Sequence, residues 1–170
     1  MHNTVGPART TDSAIAERAG VTRMTFYRHF PDEASLFRAC TAHGLDKWPP
    51  PDPQAWLQTA DPEARLRLGL GQLYGYFRIA GPGLVLLARD APLMRQELLS
   101  SPSRVDRLRA ASEVLLDAWG ARGRRRKVLS AAINHAAAVT TWQSLVQQQG
   151  LVEGQAVELL IGMVKASLNE

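Results

Sequence analysis

The sequence predicts an all-α protein with a helix-turn-helix unit at its amino end and a larger helical domain after it. Alternating segments of β-branched residues, the usual mark of strands, do not occur. Apolar residues instead recur at helical spacing in a chain rich in Ala, Leu, Arg and Glu. Glycines and prolines stand where these periodic segments end, as expected of helix stops.

Three helices are predicted before a proline-rich junction. Their capping residues and ends are Thr11 and Gly20 for the first, Thr22 and about Phe30 for the second, and Asp32 and about Lys47 for the third. The next residues, WPPPDP, cannot continue a helix because proline has no amide hydrogen to donate. We therefore predict a first domain over 1–47, a junction over 48–53 and a second domain over 54–170.

The second domain is predicted to be helical throughout. Periodicity and helix breakers indicate helices over 54–59, 62–80, 83–90, 92–99, 103–120, 124–149 and 153–168. Breaks are expected at SSPS, at GARG and at Gly150. The glycine-rich segment from Gly69 to Gly83 lacks the preceding strand and the Gly-Lys-Ser/Thr sequence of a phosphate loop. Its small residues favour close helix packing or a flexible pocket wall.

The composition excludes several functional classes. With 20 basic and 16 acidic residues the net charge is +4, which permits binding to nucleic acid without requiring it. Cys40 is the one cysteine, so we expect no internal disulfide, a buried thiol and a reducing, cytoplasmic location. The sequence has no apolar run as long as a membrane span, and its first residues lack the apolar core of a signal peptide.

Catalytic and metal-binding patterns are also missing from the sequence. The histidines show no ligand spacing with the cysteine, and no pair of carboxylates stands out for acid–base catalysis. We therefore predict no enzyme activity, no cofactor and no metal site. The basic run RGRRRK at 122–127 is either a second phosphate-binding patch or, as charge runs usually are, a solvated surface.

The segment TRMTFYRHF, residues 22–30, separates two kinds of side chain when it is drawn as a helix. At about 100° per residue, one exposed arc contains Arg23, Met24, Tyr27 and Arg28, flanked by Thr25. Phe26 and Phe30 fall on the other side and are expected to face a core. Arginine can pair with guanine or grip phosphate, and hydroxyls can reach phosphate oxygens. The arc therefore suits a DNA groove.

The preceding helix supports this interpretation. Ile15, Ala16 and Ala19 form its predicted inward face, and Ala19 is small where two helices must approach closely. Gly20 stands where a tight turn requires a positive φ, and Val21 is expected to fill the corner. This arrangement is typical of a helix-turn-helix unit.

The segment TTDSAIAERAGVTRMTFYRHFPDEASLF resembles the DNA-binding head of the TetR (tetracycline-repressor-like) family. The residues that carry the resemblance are Thr11, Ile15, Ala16, Ala19, Gly20, Val21, Thr25, Tyr27, His29, Phe30, Leu36 and Phe37. The segment HAAAVTTWQSLVQQQGLVEGQAVELLIGMV is similar to the last two helices of a subset of these regulators. The resemblance implies a repressor that binds a double-stranded, near-palindromic operator as a homodimer and releases it when a small ligand binds the second domain.

The resemblance also implies roles for individual residues. By position, those that face the groove are Arg23, Met24, Thr25 and Arg28, and those that contact phosphate are Thr11, Tyr27 and His29. Ser13 lies where the family reaches DNA from the supporting helix, and Thr22 completes the predicted DNA-binding set at the cap of the reading helix.

The chain departs from the family pattern in two places. Asp32 and Glu33 stand where members commonly have a lysine that touches phosphate, so one favourable contact is expected to be lost. Before Gly6 the chain has only Met1–Val5, where members have a full helix that packs on the head core. The alternative function is therefore a small-molecule-binding or dimerisation module with impaired DNA binding, because most of the first helix is missing.

Two features of the second domain each allow two interpretations. The aromatic or imidazole side chains that either line a ligand pocket or pack in the core are those of Tyr74, Phe77, Trp119, His135 and Trp142. His135 and Trp142 are seven residues apart, so they share a face of the predicted helix 124–149. The last two helices combine small alanines with larger aliphatic residues, which suits either a four-helix dimer interface or a monomeric core. With the resemblance, we expect a homodimer.

Overall fold

The computed structural model describes residues 2–95 and 104–168, and it is helical in both parts. Its α-helices are α1 (His2–Val5), α2 (Asp12–Ala19), α3 (Arg23–His29), α4 (Glu33–Lys47), α5 (Pro62–Asp90), α6 (Arg104–Asp117), α7 (Gly123–Ala136), α8 (Val139–Trp142) and α9 (Glu153–Ala166). Short 3-10 turns occupy Pro7–Arg9, Pro53–Gln58 and Ala91–Leu93, and a π-helical segment, Gln143–Gln148, follows α8. Because the described residues contain no strand, the predicted all-α class is confirmed.

Contacts along the chain divide the described residues into two units. The first unit consists of residues 2–49 and 82–95, and the second consists of residues 50–81 and 104–168. The chain therefore leaves the first unit after Pro49, close to the predicted junction, and returns to it inside α5, between Gly81 and Pro82. The division into domains 1–47 and 54–170 stays a prediction.

Side-chain caps define the helices of the first unit. The Ala14 N–H donates to the Thr11 hydroxyl at 3.3 Å, and the Thr25 N–H donates to the Thr22 hydroxyl at 3.2 Å. The Asp32 carboxylate accepts the Ser35 N–H at 2.6 Å. The Asp32 N–H in turn donates to the Ser35 hydroxyl, and the two bonds together form a capping box. All three predicted caps are confirmed.

The turn between α2 and α3 depends on a single glycine. Gly20 has φ +67°, a left-handed conformation that costs glycine little and ends α2. The next residue, Val21, donates its N–H to the Ala16 carbonyl at 3.0 Å, which closes the helix end. The predicted positive φ at this turn is confirmed.

The first unit has a small apolar core. Ala16, Phe26 and Leu36 are buried there, and Ile15 and Phe30 pack against them while keeping part of their surface exposed. The predictions that Ala19 faces inward and that Val21 fills the corner were wrong, because both residues are exposed. On a helix Ala19 lies about 60° around the axis from Ala16. This rotation places Ala19 outside the small core, so Ala16 is the buried alanine of α2.

The prediction that Cys40 is buried was also wrong. Leu36 and Gly44 are the buried residues of α4, whereas Cys40, which lies between them, is exposed. Burial along this side of α4 is therefore interrupted.

The core of the second unit is built on one side of α5. The fully buried residues there, all with 0% exposure, are Leu66, Leu70, Leu73, Tyr74 and Phe77. Their spacing of three or four residues is that of a single helix face. Helices α6, α7 and α9 contribute further buried aliphatic residues, and Trp56 is held by its indole N–H, which donates to Gln72 Oε1 at 2.8 Å.

Helix α5 is longer than the sequence predicts. Residues 62–80 and 83–90 were expected to form separate helices, but one helix runs from Pro62 to Asp90 with Pro82 inside it. A proline removes one backbone hydrogen bond and kinks or weakens a helix, but long helical segments on both sides can tolerate it. The predicted helix 92–99 begins instead as the turn Ala91–Leu93, and its remainder, like the break at SSPS, lies outside the described residues.

The predicted helix 124–149 is interrupted in the structure. Helix α7 ends at Ala136, and Ala138 is extended, with φ −76° and ψ 138°, before α8 begins. The Thr141 hydroxyl donates to the His135 carbonyl at 2.6 Å, which also accepts the Ala138 N–H at 3.2 Å, so two hydrogen bonds hold this helix end. The prediction that His135 and Trp142 share one continuous helix was therefore wrong.

Two glycines of α5 permit close approach of neighbouring side chains. A Cβ added at Gly69 would lie 2.6 Å from Leu115 Cδ2, and one added at Gly81 would lie 2.6 Å from Trp142 Cζ3. At Gly71 and Gly75, by contrast, nothing lies within 4 Å. Close packing is thus confirmed for two members of the glycine-rich segment.

This difference predicts opposite effects of alanine within one helix. Gly69→Ala should lower the free energy of unfolding by about 1–3 kcal/mol, because the methyl group overpacks the contact with Leu115. Gly71→Ala should raise it by up to about 1 kcal/mol through better helix propensity. Urea unfolding followed by circular dichroism measures both changes. Equal shifts in the two variants would contradict the close contact at Gly69.

Candidate nucleic-acid interface

Helix α3 presents the residues that the sequence predicts for reading DNA. Met24 is 84% exposed and Tyr27 is 49% exposed, and Arg23 and Arg28 are exposed as well. Phe26, on the opposite side, is only 4% exposed. The predicted division of this helix into an outward arc and an inward face is confirmed. We call the outward arc of Arg23, Met24, Tyr27 and Arg28 the reading face.

Aromatic packing supports the reading face from below. The Phe26 ring lies 5.5 Å from the Tyr27 ring in an edge-on arrangement and 5.4 Å from the Phe30 ring. Such geometries are favourable between aromatic rings. Tyr27 therefore packs against the core even though half of its surface is exposed.

The remaining predicted DNA contacts lie at helix ends. Thr11 and Thr22 cap α2 and α3, and the hydroxyls of Thr22 and Thr25 lie 3.1 Å apart. Because a hydroxyl that accepts one hydrogen bond can still donate its own proton, capping does not preclude a phosphate contact. Ser13 is half-buried in α2, and His29 is exposed at the last position of α3.

Asp32 has a structural role as the N-cap residue of α4. Its carboxylate accepts the Ser35 N–H, and this bond is the main cause that lowers the pKa of Asp32. The residue therefore remains ionised and begins α4. The negative charge next to the reading helix is explained by this cap.

Comparison with known families gives an independent result for the same segment. Residues 1–40 match the family model described as bacterial regulatory proteins, tetR family. This match supports a TetR-family regulator. Comparisons with curated proteins and with solved structures found no match. The matched residues include all of α2 and α3, so the reading face lies inside the family's DNA-binding region.

The match supports a DNA-binding transcriptional regulator, and regulators of the tetR family are generally not enzymes. No helix within residues 2–95 and 104–168 is long and apolar enough to cross a membrane. The same residues contain no group of three or more potential metal ligands from His, Cys, Asp and Glu.

Sequence reasoning missed an ion pair in the head unit, in which Asp90 is buried and Arg89 is half-exposed. Asp90, at the end of α5, is 1% exposed and accepts the Ala8 N–H at 3.1 Å and Arg89 Nε at 2.7 Å. Arg89 Nη2 also donates to the Val5 carbonyl at 2.9 Å. We call these contacts the Arg89–Asp90 clamp. About eighty residues separate its two sides, so no local pattern could have indicated it.

The clamp predicts an acid transition in the head. The hydrogen bond from Arg89, followed by that from Ala8, lowers the pKa of Asp90, and Arg9 is the other charge that acts on it. A lowered folded-state pKa means that the stabilisation is present at neutral pH and is lost as the pH falls through the folded value. The Ala8 amide resonance should therefore shift with a midpoint below 3.8, the ordinary value.

An NMR titration of the folded protein tests this expectation. Asp90→Asn, which cannot ionise, is the control and should leave the Ala8 resonance without this transition. A midpoint above 3.8 would contradict the clamp, as would the same transition in the Asn variant.

The predicted ligand-binding residues do not form one site. Tyr74, Phe77 and Trp142 pack together, with ring centroids 6.0 Å apart for Tyr74–Phe77 and 6.1 Å apart for Phe77–Trp142. The Tyr74 hydroxyl donates to the Ala136 carbonyl at 3.1 Å, and burial raises its pKa, so the phenol stays protonated. Within the described residues the buried indole N–H of Trp142 has no hydrogen-bond partner.

Trp119 and His135 lie apart from this aromatic cluster. Trp119 is half-buried and lines an open cavity of about 670 Å³ together with Glu63, Arg125, Ile161 and Lys165. His135 is exposed near the end of α7. The structure therefore separates the five candidates into a packed group of three and two residues at other places in the second unit.

The basic run 122–127 begins α7 in the second unit. Arg122 is the N-cap residue, Arg126 pairs with Asp117 at 2.8 Å, and Arg125 donates to the Leu168 carbonyl. Arg124 and Lys127 are exposed. Part of this positive charge is therefore used in contacts within the chain.

Proposed function

We propose that this TetR-family regulator is a ligand-responsive repressor that binds a near-palindromic operator as a homodimer in the cytoplasm, where bacterial DNA lies. The reading face is the single observation that carries the proposal. Two arginines, a methionine and a tyrosine are exposed on a short helix, and this helix is capped by Thr22 and anchored by Phe26. A helix placed in this way can enter the major groove.

Recognition is proposed to divide between the reading face and the helix ends. Arg23 and Arg28 would pair with guanine edges or phosphates, and Met24 would make apolar contacts with base methyl groups. The proposed phosphate contacts come from Thr11, Ser13, Thr22, Thr25, Tyr27 and His29. These positional contacts fix the register of the protein on DNA, and base contacts supply the sequence preference.

The homodimer is proposed to form through the last two helices. The buried residues of α9 that pack within the chain are Ala156, Val157, Leu160, Ile161 and Val164. On another side of α9, Leu159 is 47% exposed and Met163 is 50% exposed, and Val152, just before the helix, is 64% exposed. These three apolar residues recur at seven and four residues, as on one helix face. A second copy related by two-fold symmetry would cover them.

Substitution of Met163 tests the dimer. Met163→Lys should shift the mass measured by light scattering from that of two chains to that of one, because a charge would be buried in the interface. Ile79→Lys is a matched control, since Ile79 is a similarly exposed apolar residue (58%) on α5. A mass unchanged by Met163→Lys would contradict this interface.

The ligand is proposed to act at the cluster of Tyr74, Phe77 and Trp142. A buried N–H without a hydrogen-bond partner lowers the stability of the folded protein. A hydrogen-bond acceptor on an otherwise apolar ligand would pair with the Trp142 indole N–H and remove this unfavourable free energy. Trp119 and His135 remain proposed contacts only for a ligand that extends beyond the cluster.

Fluorescence anisotropy with DNA from upstream of the gene tests the central proposal. The protein should prefer a segment of this DNA over scrambled sequence, and its affinity should fall as salt increases. Binding without sequence preference would contradict the regulator function, and so would an affinity independent of salt.

The alternative proposal is a ligand-binding or dimerisation module with impaired DNA binding. Its support is that Ile15 and Phe30 remain half-buried beside the small head core. Hydrogen exchange across α2 and α3 separates the two proposals. Strong protection there in DNA-free protein would contradict the alternative.

A further inference from the structure

We infer that Asp90 is a positioning residue for DNA reading, which holds the segment in front of the helix-turn-helix and transmits to it any change at the Gly81–Pro82 bond. The inference rests on the proposed function for its DNA readout. Its geometric part concerns only the chain's own contacts.

The Arg89–Asp90 clamp fastens the entry segment at two points. Both carboxylate oxygens of Asp90 are engaged, Oδ1 by Arg89 and Oδ2 by the Ala8 N–H. Arg89 adds the bond to the Val5 carbonyl. The segment between these points cannot move away from the end of α5 without breaking a charge-assisted hydrogen bond.

Gly6 shows how closely the two sides approach. It has φ +93°, and a Cβ built at this position would collide with the Asp90 carboxylate and the Arg89 guanidinium. Glycine is favoured at this position for two reasons: the positive φ strains a residue that has a Cβ, and the Cβ would have no room. The backbone at Gly6 therefore packs directly against the ion pair.

Hydrogen bonds continue from the clamp to the helix-turn-helix. The Thr10 hydroxyl donates to the Gly6 carbonyl at 2.7 Å, and the next residue, Thr11, caps α2. A displacement of Asp90 consequently moves the first turn of α2. Because α2 packs with α3 in one small core, this displacement also moves the reading face.

The other end of the path lies in α5. The chain passes from the second unit to the first between Gly81 and Pro82, where the proline lacks an amide hydrogen and the glycine lacks a side chain. Pro82 therefore leaves α5 with one backbone hydrogen bond fewer beside this bond. Within the second unit, the Trp142 ring packs directly against Gly81. A ligand that shifts Trp142 would therefore act on the residue beside this bond.

Three glycine-to-alanine variants of α5 test the path without requiring an effector. Gly81→Ala would push the Trp142 ring aside, since the new Cβ would lie 2.6 Å from it. Gly69→Ala produces an equally close contact, 2.6 Å from Leu115, at a distance from the unit boundary. Gly75→Ala adds a methyl group where nothing lies within 4 Å.

The readout is hydrogen exchange of the Ala8 amide, which donates to Asp90. Gly81→Ala should accelerate this exchange by about tenfold or more, the size expected when a local hydrogen bond opens more often. Gly69→Ala and Gly75→Ala should leave it unchanged. Equal acceleration in Gly69→Ala and Gly81→Ala would indicate general destabilisation and would overturn the inference, as would no acceleration in any variant.

The DNA readout uses a selected oligonucleotide, obtained from a random library with the wild-type protein. Asp90→Asn should weaken binding by about fivefold or more, the lower range of coupling between sites, while circular dichroism shows unchanged helix content. Arg89→Lys keeps the charge but loses the fork that reaches Val5, so it should give a smaller loss. Wild-type affinity in both variants would overturn the positioning role.

A double-mutant cycle completes the test. If Asp90 transmits the change at Gly81, then Gly81→Ala should weaken DNA binding in the wild-type background and have no further effect in Asp90→Asn. Additive losses would overturn the path. If the wild-type protein selects no DNA, the proposed function fails, while exchange at Ala8 still decides whether the clamp responds to Gly81.

Discussion

The double variant Arg23→Ala/Arg28→Ala should lose most of its affinity for specific DNA. Both side chains are exposed on the reading face, and neither contributes to the buried core of the head. An arginine that pairs with a guanine contributes about 1–3 kcal/mol. Loss of both should therefore weaken binding by about 30-fold to more than 1,000-fold. Anisotropy titrations with the selected oligonucleotide measure this loss.

The matched control for this prediction is Arg107→Ala/Arg109→Ala. Both arginines are exposed on α6 in the second unit, so their removal lowers the charge of the protein by the same two units without changing the reading face. The control should bind DNA like the wild type, apart from a small electrostatic effect. An equal loss of affinity in the control would mean that general charge, rather than the reading face, accounts for binding.

Phe26→Ala should unfold the head while the second unit remains folded. Phe26 is 4% exposed and is the largest member of a core that otherwise contains Ala16 and Leu36, with partial cover from Ile15 and Phe30. Replacing a buried phenylalanine with alanine costs about 3–5 kcal/mol. A core this small has little else to offset that loss.

Hydrogen exchange resolved by residue measures the effect on each unit separately. Protection in α2 and α3 should disappear in Phe26→Ala and persist in α7 and in residues 62–81 of α5, which belong to the second unit. Met24→Ala is the control, because Met24 lies on the same helix and is 84% exposed. It should change stability by less than about 0.5 kcal/mol. Retained head protection in Phe26→Ala would show that other contacts hold the reading helix.

The parts of the molecule that could be predicted are those controlled by local sequence. Thr11, Thr22 and Asp32 cap helices through bonds three residues away, and Gly20 ends α2 through its own backbone conformation. The reading face followed from the helical period alone. In each case the energetic cause lies within one helical turn, where sequence patterns are informative.

The errors come from interactions between distant residues. Continuity of α5 across Pro82 and the end of α7 at Ala136 depend on the packing around them, which overrides local helix signals. The Arg89–Asp90 clamp joins residues about eighty positions apart. For the same reason the grouping of Phe77 with Trp142, and the separation of Trp119 from both, could not be derived from spacing.

Exposure of Cys40 has a practical consequence for spectroscopy. It is the single cysteine and is exposed on α4 of the head, so a maleimide spin label would attach at one position per chain without any substitution. Partial desolvation raises its pKa, so mildly alkaline buffer favours the labelling reaction. In a homodimer, pulsed electron paramagnetic resonance would then record one distance between the two heads. A change of that distance on adding a compound would identify an effector directly from a chemical library.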